Sequence, residues 1–139
     1  METTKIKISA VIEGTVEEVW DYWTQPQHIT QWNFAADDWC CPRAENDLRV
    51  GGKYSARMEA KDGSFGFDFE AVYDEVVPLK KIAYTMTDGR QAITIFEVKG
   101  DKTKVTTEFD PEDQNPMEMQ KGGWQAILDN FKKYVEQHK

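Results

Sequence analysis

Between Lys53 and Phe109 the chain alternates apolar and polar residues through five short runs, and the pattern then changes to a helical period that lasts almost to the end. A period of two places successive side chains on opposite faces of a strand, whereas a period of 3.6 gathers them on one stripe of a helix. Strands joined by tight turns run antiparallel. A chain built this way has one sheet and one long helix, each with an apolar face to bury, and the helix must lie on the sheet.

In the first run, Tyr54, Ala56, Met58 and Ala60 oppose Lys53, Ser55, Arg57 and Glu59. Lys61-Asp62-Gly63-Ser64 is a hairpin turn, with Asp-Gly supplying the positive φ angle. Phe65, Phe67, Phe69, Ala71 and Tyr73 then share a face against Asp68, Glu70 and Asp74, which should meet solvent. Pro78 ends that strand because it lacks a ladder donor. Ile82, Tyr84 and Met86 form the next run, closed by Asp88-Gly89. Gln91 to Val98 and Thr103 to Phe109 make the last hairpin around Gly100-Asp101, which sets Phe96 beside Val105, Thr94 beside Thr107 and Ala92 beside Phe109.

Asn115 is a good N-cap and Pro116 a good first helical residue. The helix is predicted to reach about Gln137, with Gly123, Trp124, Ile127, Leu128, Phe131, Tyr134 and Val135 as its core-facing stripe. Gly122-Gly123 stands out, since a glycine inside a helix costs about 1 kcal/mol relative to alanine. Close approach to the sheet, room for a ligand or a local kink would each account for it.

Before the alternating block, Ile6, Ile8, Ala10 and Ile12 share one face of a strand from about Lys5 to Ile12. Thr15 and Glu18 match the S/T-x-x-E capping box of a helix over about Val16 to Trp23. Pro26 opens a second short helix carrying Ile29 and Trp32. Residues 33–50 read as a packed irregular segment, and Gly51-Gly52 as a turn or bulge. With no repeat, low-complexity tract or linker, residues 1–139 read as a single α+β domain.

The chain has 17 basic and 25 acidic residues, a net charge of −8. Such a charge repels phosphate backbones and anionic lipid heads, which argues against nucleic acid and membrane surfaces as partners. No apolar run approaches a membrane span, and the N-terminus carries no apolar signal core, so a cytoplasmic location is expected. Cys40 and Cys41 are neighbours and provide no disulfide framework. His28, Cys40, Cys41 and Asp37-Asp38 lack the spacing of a zinc site, and the other histidine, His138, lies at the end of the last helix. No metal or cofactor is expected.

The ordered set Thr15-Val-Glu-Glu-Val-Trp20, Pro26-Gln-His-Ile-Thr-Gln-Trp32, Asp47-Leu-Arg-Val-Gly-Gly52, Phe69-Glu-Ala-Val-Tyr-Asp-Glu-Val-Val-Pro78, Ile82 with Tyr84, and Gly123-Trp124 spans nearly the whole chain. It resembles the helix-grip fold of the START/birch-allergen/polyketide-cyclase (SRPBCC) superfamily, within the AHSA-type branch named after the activator of a heat-shock chaperone ATPase. The resemblance implies a curved antiparallel sheet of six or seven strands wrapped around a long C-terminal helix, with two short helices after the first strand. It also implies a ligand cavity between the sheet and the N-terminal half of that helix. The family's pocket positions fall on Tyr54, Met58, Phe67, Phe69, Tyr84, Met86, Thr94, Met119, Gln120, Gly123 and Trp124, with Trp32, Phe34 and Trp39 near the mouth. Where relatives often place larger aliphatics, Ala92 and Thr94 are expected to enlarge and slightly polarise the cavity.

The same aromatics could equally fill a solid core. No G-x-S-x-G, H-E-x-x-H or phosphate-cradling motif is present, and His28, the sole credible imidazole, should lie away from the cavity. The leading expectation is therefore a binder of a small hydrophobic or amphipathic molecule, without catalytic residues. A cyclase or aromatase-like enzyme, with Tyr54, Tyr84 and Thr94 holding a polyketone folded, is the alternative. A co-chaperone-like interaction module is the third reading. Against it, the chaperone activator carries an extra N-terminal domain, whereas this sequence starts at the first strand. Ile93 and Ile95 make the penultimate strand apolar on its outer side too, which fits either a covered outer face such as a homodimer contact or β-propensity alone.

Overall fold

In the first strand, β1 (Ile6–Ile12), Ile6, Ile8 and Ile12 are buried while Lys7 and Ser9 are exposed or nearly so. The structure, a computed structural model, describes residues 5–112 and 115–137. Helix α1 (Val16–Thr24) carries the full capping box: Glu18 N donates to Thr15 Oγ1 at 3.2 Å and Thr15 N to Glu18 Oε1 at 3.2 Å. Helix α2 (Pro26–Trp32) starts on its proline.

Six more strands follow: β2 (Trp39–Asn46), β3 (Lys53–Ala60), β4 (Gly66–Val77), β5 (Lys81–Met86), β6 (Gln91–Lys99) and β7 (Lys102–Phe109). They form one seven-stranded antiparallel sheet in the order β1-β7-β6-β5-β4-β3-β2, curled around helix α3 (Met117–Gln137). The last hairpin has the expected register, with Phe96 opposite Val105, Thr94 opposite Thr107 and Ala92 opposite Phe109.

Two expectations need correction. Residues 33–50 do not form one irregular segment, because β2 occupies 39–46 as an edge strand. The register slips between Cys40 and Arg43, at Cys41-Pro42, and that bulge hides the alternation. Pro42 is tolerated there because an edge strand has one unpaired side. Helix α3 also begins one residue after Pro116, whose carbonyl accepts from Met119 N at 3.1 Å and Gln120 N at 3.2 Å. Asn115 donates its side-chain amide to Glu112 Oε1 instead of capping the helix. Gly51-Gly52 is a turn, and Gly52 has no freedom to change: a Cβ there would lie 2.0 Å from Asp47 O.

The core lies between the sheet and the C-terminal half of α3, where Leu128, Phe131 and Val135 pack against Ile8, Ile12, Val105 and Phe96. Phe131 is fully buried and edge-on to both Trp23 and Trp32, with ring centroids 4.9 Å and 4.7 Å away. The N-terminal half of the helix touches the sheet mainly through Trp124, stacked on Phe109 at 3.9 Å and 11°. The helix is thus filled in at one end and stands off the sheet at the other.

Candidate ligand cavity

Under the standing-off end of α3 lies a cavity of about 540 Å³, within the range typical of small-molecule sites. On its sheet side it is bordered by Tyr54, Met58, Phe67, Phe69, Tyr84 and Thr94. Met119, Gln120, Gly123 and Trp124 border it from α3, and Trp32, Phe34 and Trp39 from the α2–β2 side. Of the pocket positions read from the sequence, only Met86 is missing. It shares their face but lies 5% exposed in a packed group with Ile6, Ala71, Ala92 and Phe109, against which Phe69, Tyr84 and Trp124 pack. Ala92 belongs to the same group, so its small side chain does not enlarge the cavity.

Thr94 does reach it, but its hydroxyl is bonded to that of Thr107 at 2.9 Å, two residues that satisfy each other across the β6–β7 pair. Gln120 is likewise engaged. Its Oε1 accepts from Glu112 N at 2.8 Å, and its Nε2 donates to Glu112 O at 3.1 Å and Asn115 O at 2.8 Å. This side chain fastens the segment before α3 to the helix: both of its N–H donors are used, and its oxygen keeps one acceptor site. Gly123 borders the open space, and a Cβ at Gly122 or Gly123 would meet nothing within 4 Å. Close approach to the sheet therefore does not explain the glycine pair.

The rim is apolar and open, with Phe67 41% and Met119 63% exposed. Trp39 groups with Phe65 and Phe67 there, at centroid distances of 6.0 Å and 6.2 Å. Asn130 on α3 holds the facing loop by donating to Trp32 O at 2.9 Å and Phe34 O at 3.4 Å.

Three tyrosines, Tyr54, Tyr73 and Tyr84, are among the polar residues of the lining. Tyr54 and Tyr84 lie with parallel rings 6.2 Å apart, and the Tyr54 hydroxyl accepts from Asn33 Nδ2 at 3.1 Å. Burial pushes the Tyr54 phenol well above its ordinary range, and neighbouring Tyr84, Tyr73 and Cys41 add to the rise while Asn33 opposes it. Burial likewise raises Tyr73 and Tyr84. All three stay neutral at physiological pH. Asn33, Arg90 and Thr107 border the cavity and were not singled out from the sequence. Arg90 was legible: it precedes Ala92 and Thr94 by two and four residues, so the alternation carried one step beyond the strand puts it on their face.

His28 lies outside the lining, where its Nδ1 meets Tyr134 Oη at 2.8 Å and its ring packs on Tyr22. His138 is outside the described residues. Among the described residues no cluster of His, Cys, Asp and Glu could hold a metal ion. Both cysteines are free, and burial pushes the Cys41 thiol up to about 11, with Cys40 adding to the rise. The folded chain therefore keeps a proton on Cys41 that the unfolded chain loses near its ordinary 9.0. Stability from this group is complete below that value and is lost as pH rises through about 11. The urea midpoint is expected to fall between those two values, and Cys41→Ala to flatten the fall. An unchanged slope in the variant would remove the thiol as its source.

The family model described as "Activator of Hsp90 ATPase homolog 1-like protein" matches residues 13–136. The chain belongs to this family. Similar solved structures share the fold. The AHSA1-like protein from Aeromonas hydrophila is 41% identical, with 97% of this chain and 94% of that one covered at a TM-score of 0.92. Chr148 from Cytophaga hutchinsonii is 46% identical over 96% and 93% of the two chains, TM-score 0.83. Protein CV1439 from Chromobacterium violaceum shares the fold at 24% identity, TM-score 0.85, over 95% and 96%. A comparison with curated proteins returns no match. Among the described residues, no helix of this AHSA1 chain is long and apolar enough to cross a membrane.

Proposed function

We propose that this AHSA1 domain binds a small hydrophobic or amphipathic molecule between its curved sheet and the N-terminal half of α3. The observation that carries this reading is a cavity of about 540 Å³, walled largely by aromatic rings, beneath a helix that carries glycine where a side chain would project into the space. An apolar lining with few polar groups suits a ligand whose transfer from water is favourable, by about 25 cal/mol per Å² buried.

Among the described lining residues there is neither histidine nor cysteine. Among the described lining residues Glu112 is the one carboxylate, and Asn115 donates to it. Chemistry there would rest on positioning by tyrosine hydroxyls, so binding without turnover is the simpler reading.

Titration with N-phenyl-1-naphthylamine, a neutral dye that fluoresces in apolar surroundings, tests the reading directly. Saturable enhancement at one dye per chain is expected, and Met58→Trp, which places an indole on the cavity border, should abolish it. Enhancement that never saturates, or that survives in Met58→Trp, would count against an internal site.

A further inference from the structure

Tyr84 sits on β5, and Arg90 sits just before β6, where Met86 N donates to Arg90 O at 2.7 Å and closes the turn between them. Both border the cavity. The Tyr84 hydroxyl has no hydrogen-bond partner among the described residues, and none of their fully buried side-chain polar atoms lacks a partner. Its oxygen is therefore not sealed in, and it opens on the cavity.

Arg90 is held from one side. Its Nε donates to Asp88 Oδ2 at 2.6 Å and its backbone N to Asp88 Oδ1 at 3.1 Å. Neither Nη group has a partner among the described residues. The planar guanidinium is thus fixed in place with four N–H groups unused. Arg90 lies near enough to Tyr84 for its charge to pull the phenol down against the effect of burial.

We infer that Tyr84 and Arg90 form a paired hydrogen-bond donor for an oxygen acceptor, and that the ligand is a neutral amphipath bearing a carbonyl rather than a carboxylate. This rests on the ligand-binding reading above and adds the chemical class.

The preference for neutrality follows from the surrounding charges. Asp88 already answers the charge of Arg90, and Glu112 also borders the cavity. Asp110, held by Lys5, is a further carboxylate that feels Arg90. A ligand carboxylate would enter without a counter-charge of its own, and burying an uncompensated ion costs far more than burying a hydrogen-bonded carbonyl. The rest of the wall, including Phe69 and Trp124 at a centroid distance of 6.5 Å, offers apolar surface to the body of the molecule.

The test uses two fluorescent probes with one scaffold, the ketone 6-propionyl-2-(dimethylamino)naphthalene and the carboxylate 6-(dimethylamino)naphthalene-2-carboxylate. The ketone should bind, and the carboxylate at pH 7.4 about tenfold or more weakly. Tyr84→Phe should weaken the ketone by about fivefold to tenfold, the effect of one hydrogen bond. It should also shift the bound emission to the blue, because donors to the carbonyl stabilise the charge-transfer excited state. Arg90→Met, at the cavity border, should act in the same direction, with near-ultraviolet circular dichroism checking the fold of both variants. Equal affinity for the two probes, or ketone affinity and emission unchanged in both variants, would overturn the donor pair while saturable N-phenyl-1-naphthylamine binding left the cavity standing. Failure of the wild-type chain to bind either N-phenyl-1-naphthylamine or the ketone would overturn both readings.

Discussion

Gly123→Leu is expected to make the protein more stable and at the same time unable to take up an apolar dye. The two effects have separate causes. Glycine inside a helix is less favourable than leucine by close to 1 kcal/mol, because an unfolded glycine has more conformations to lose. A Cβ at position 123 meets nothing within 4 Å, so the exchange brings no clash to offset that gain. The rest of the side chain has to go somewhere, and position 123 borders the cavity. Four carbon atoms directed there occupy the space between α3 and the sheet, and N-phenyl-1-naphthylamine affinity should fall by about tenfold or more, the effect of roughly 1.4 kcal/mol.

Gly122→Leu is the matched control. Position 122 is exposed, lies outside the lining, and is equally unobstructed. It should gain similar stability in urea denaturation and keep the dye. If both variants bound dye as the parent does, the glycine at 123 would have no connection with the cavity.

How far the sequence disclosed this arrangement depends on how local each signal was. The capping box of α1, the Pro26 start of α2 and the β6–β7 register are set by residues within a few positions of one another, and they could be read directly. Strand β2 could not, because the bulge at Cys41-Pro42 changes the parity of its side chains half-way along. The cavity border is a third case. Parity assigns Met86 and Tyr84 to the same face, yet which of them meets empty space depends on how far Trp124 and Phe109 reach across the sheet. Gln120 was legible as a cavity position and not as a fastener, because its partners, Glu112 and Asn115, belong to a segment without periodicity. Patterns in sequence locate faces. The hollow behind a face is a property of side chains that meet from distant parts of the chain.

The same contrast between the two halves of α3 predicts where the fold is most vulnerable. Phe131→Ala should cost about 3–5 kcal/mol, the usual range for truncating a fully buried phenylalanine. Phe131 is 0% exposed and sits edge-on to both Trp23 and Trp32, which themselves stack at 5.1 Å. These indoles come from α1 and α2, so this one ring ties both short helices to the long one. The neighbouring Asn130 holds the loop after α2, so the backbone around the site has little freedom to collapse into the void, and a void that persists carries the full cavity penalty. Against a typical stability of about 5–15 kcal/mol, a loss of that size removes a large share of the total. Trp124→Ala removes a larger side chain and should nevertheless cost less. Its ring is packed on Phe109 on one side but borders existing empty space on the other, so fewer contacts are lost. Urea denaturation of the two variants measures the order directly. A smaller loss for Phe131→Ala than for Trp124→Ala would mean that α3 is held chiefly at its cavity end, and the division of the helix into an anchored half and a cavity-facing half would have to be abandoned.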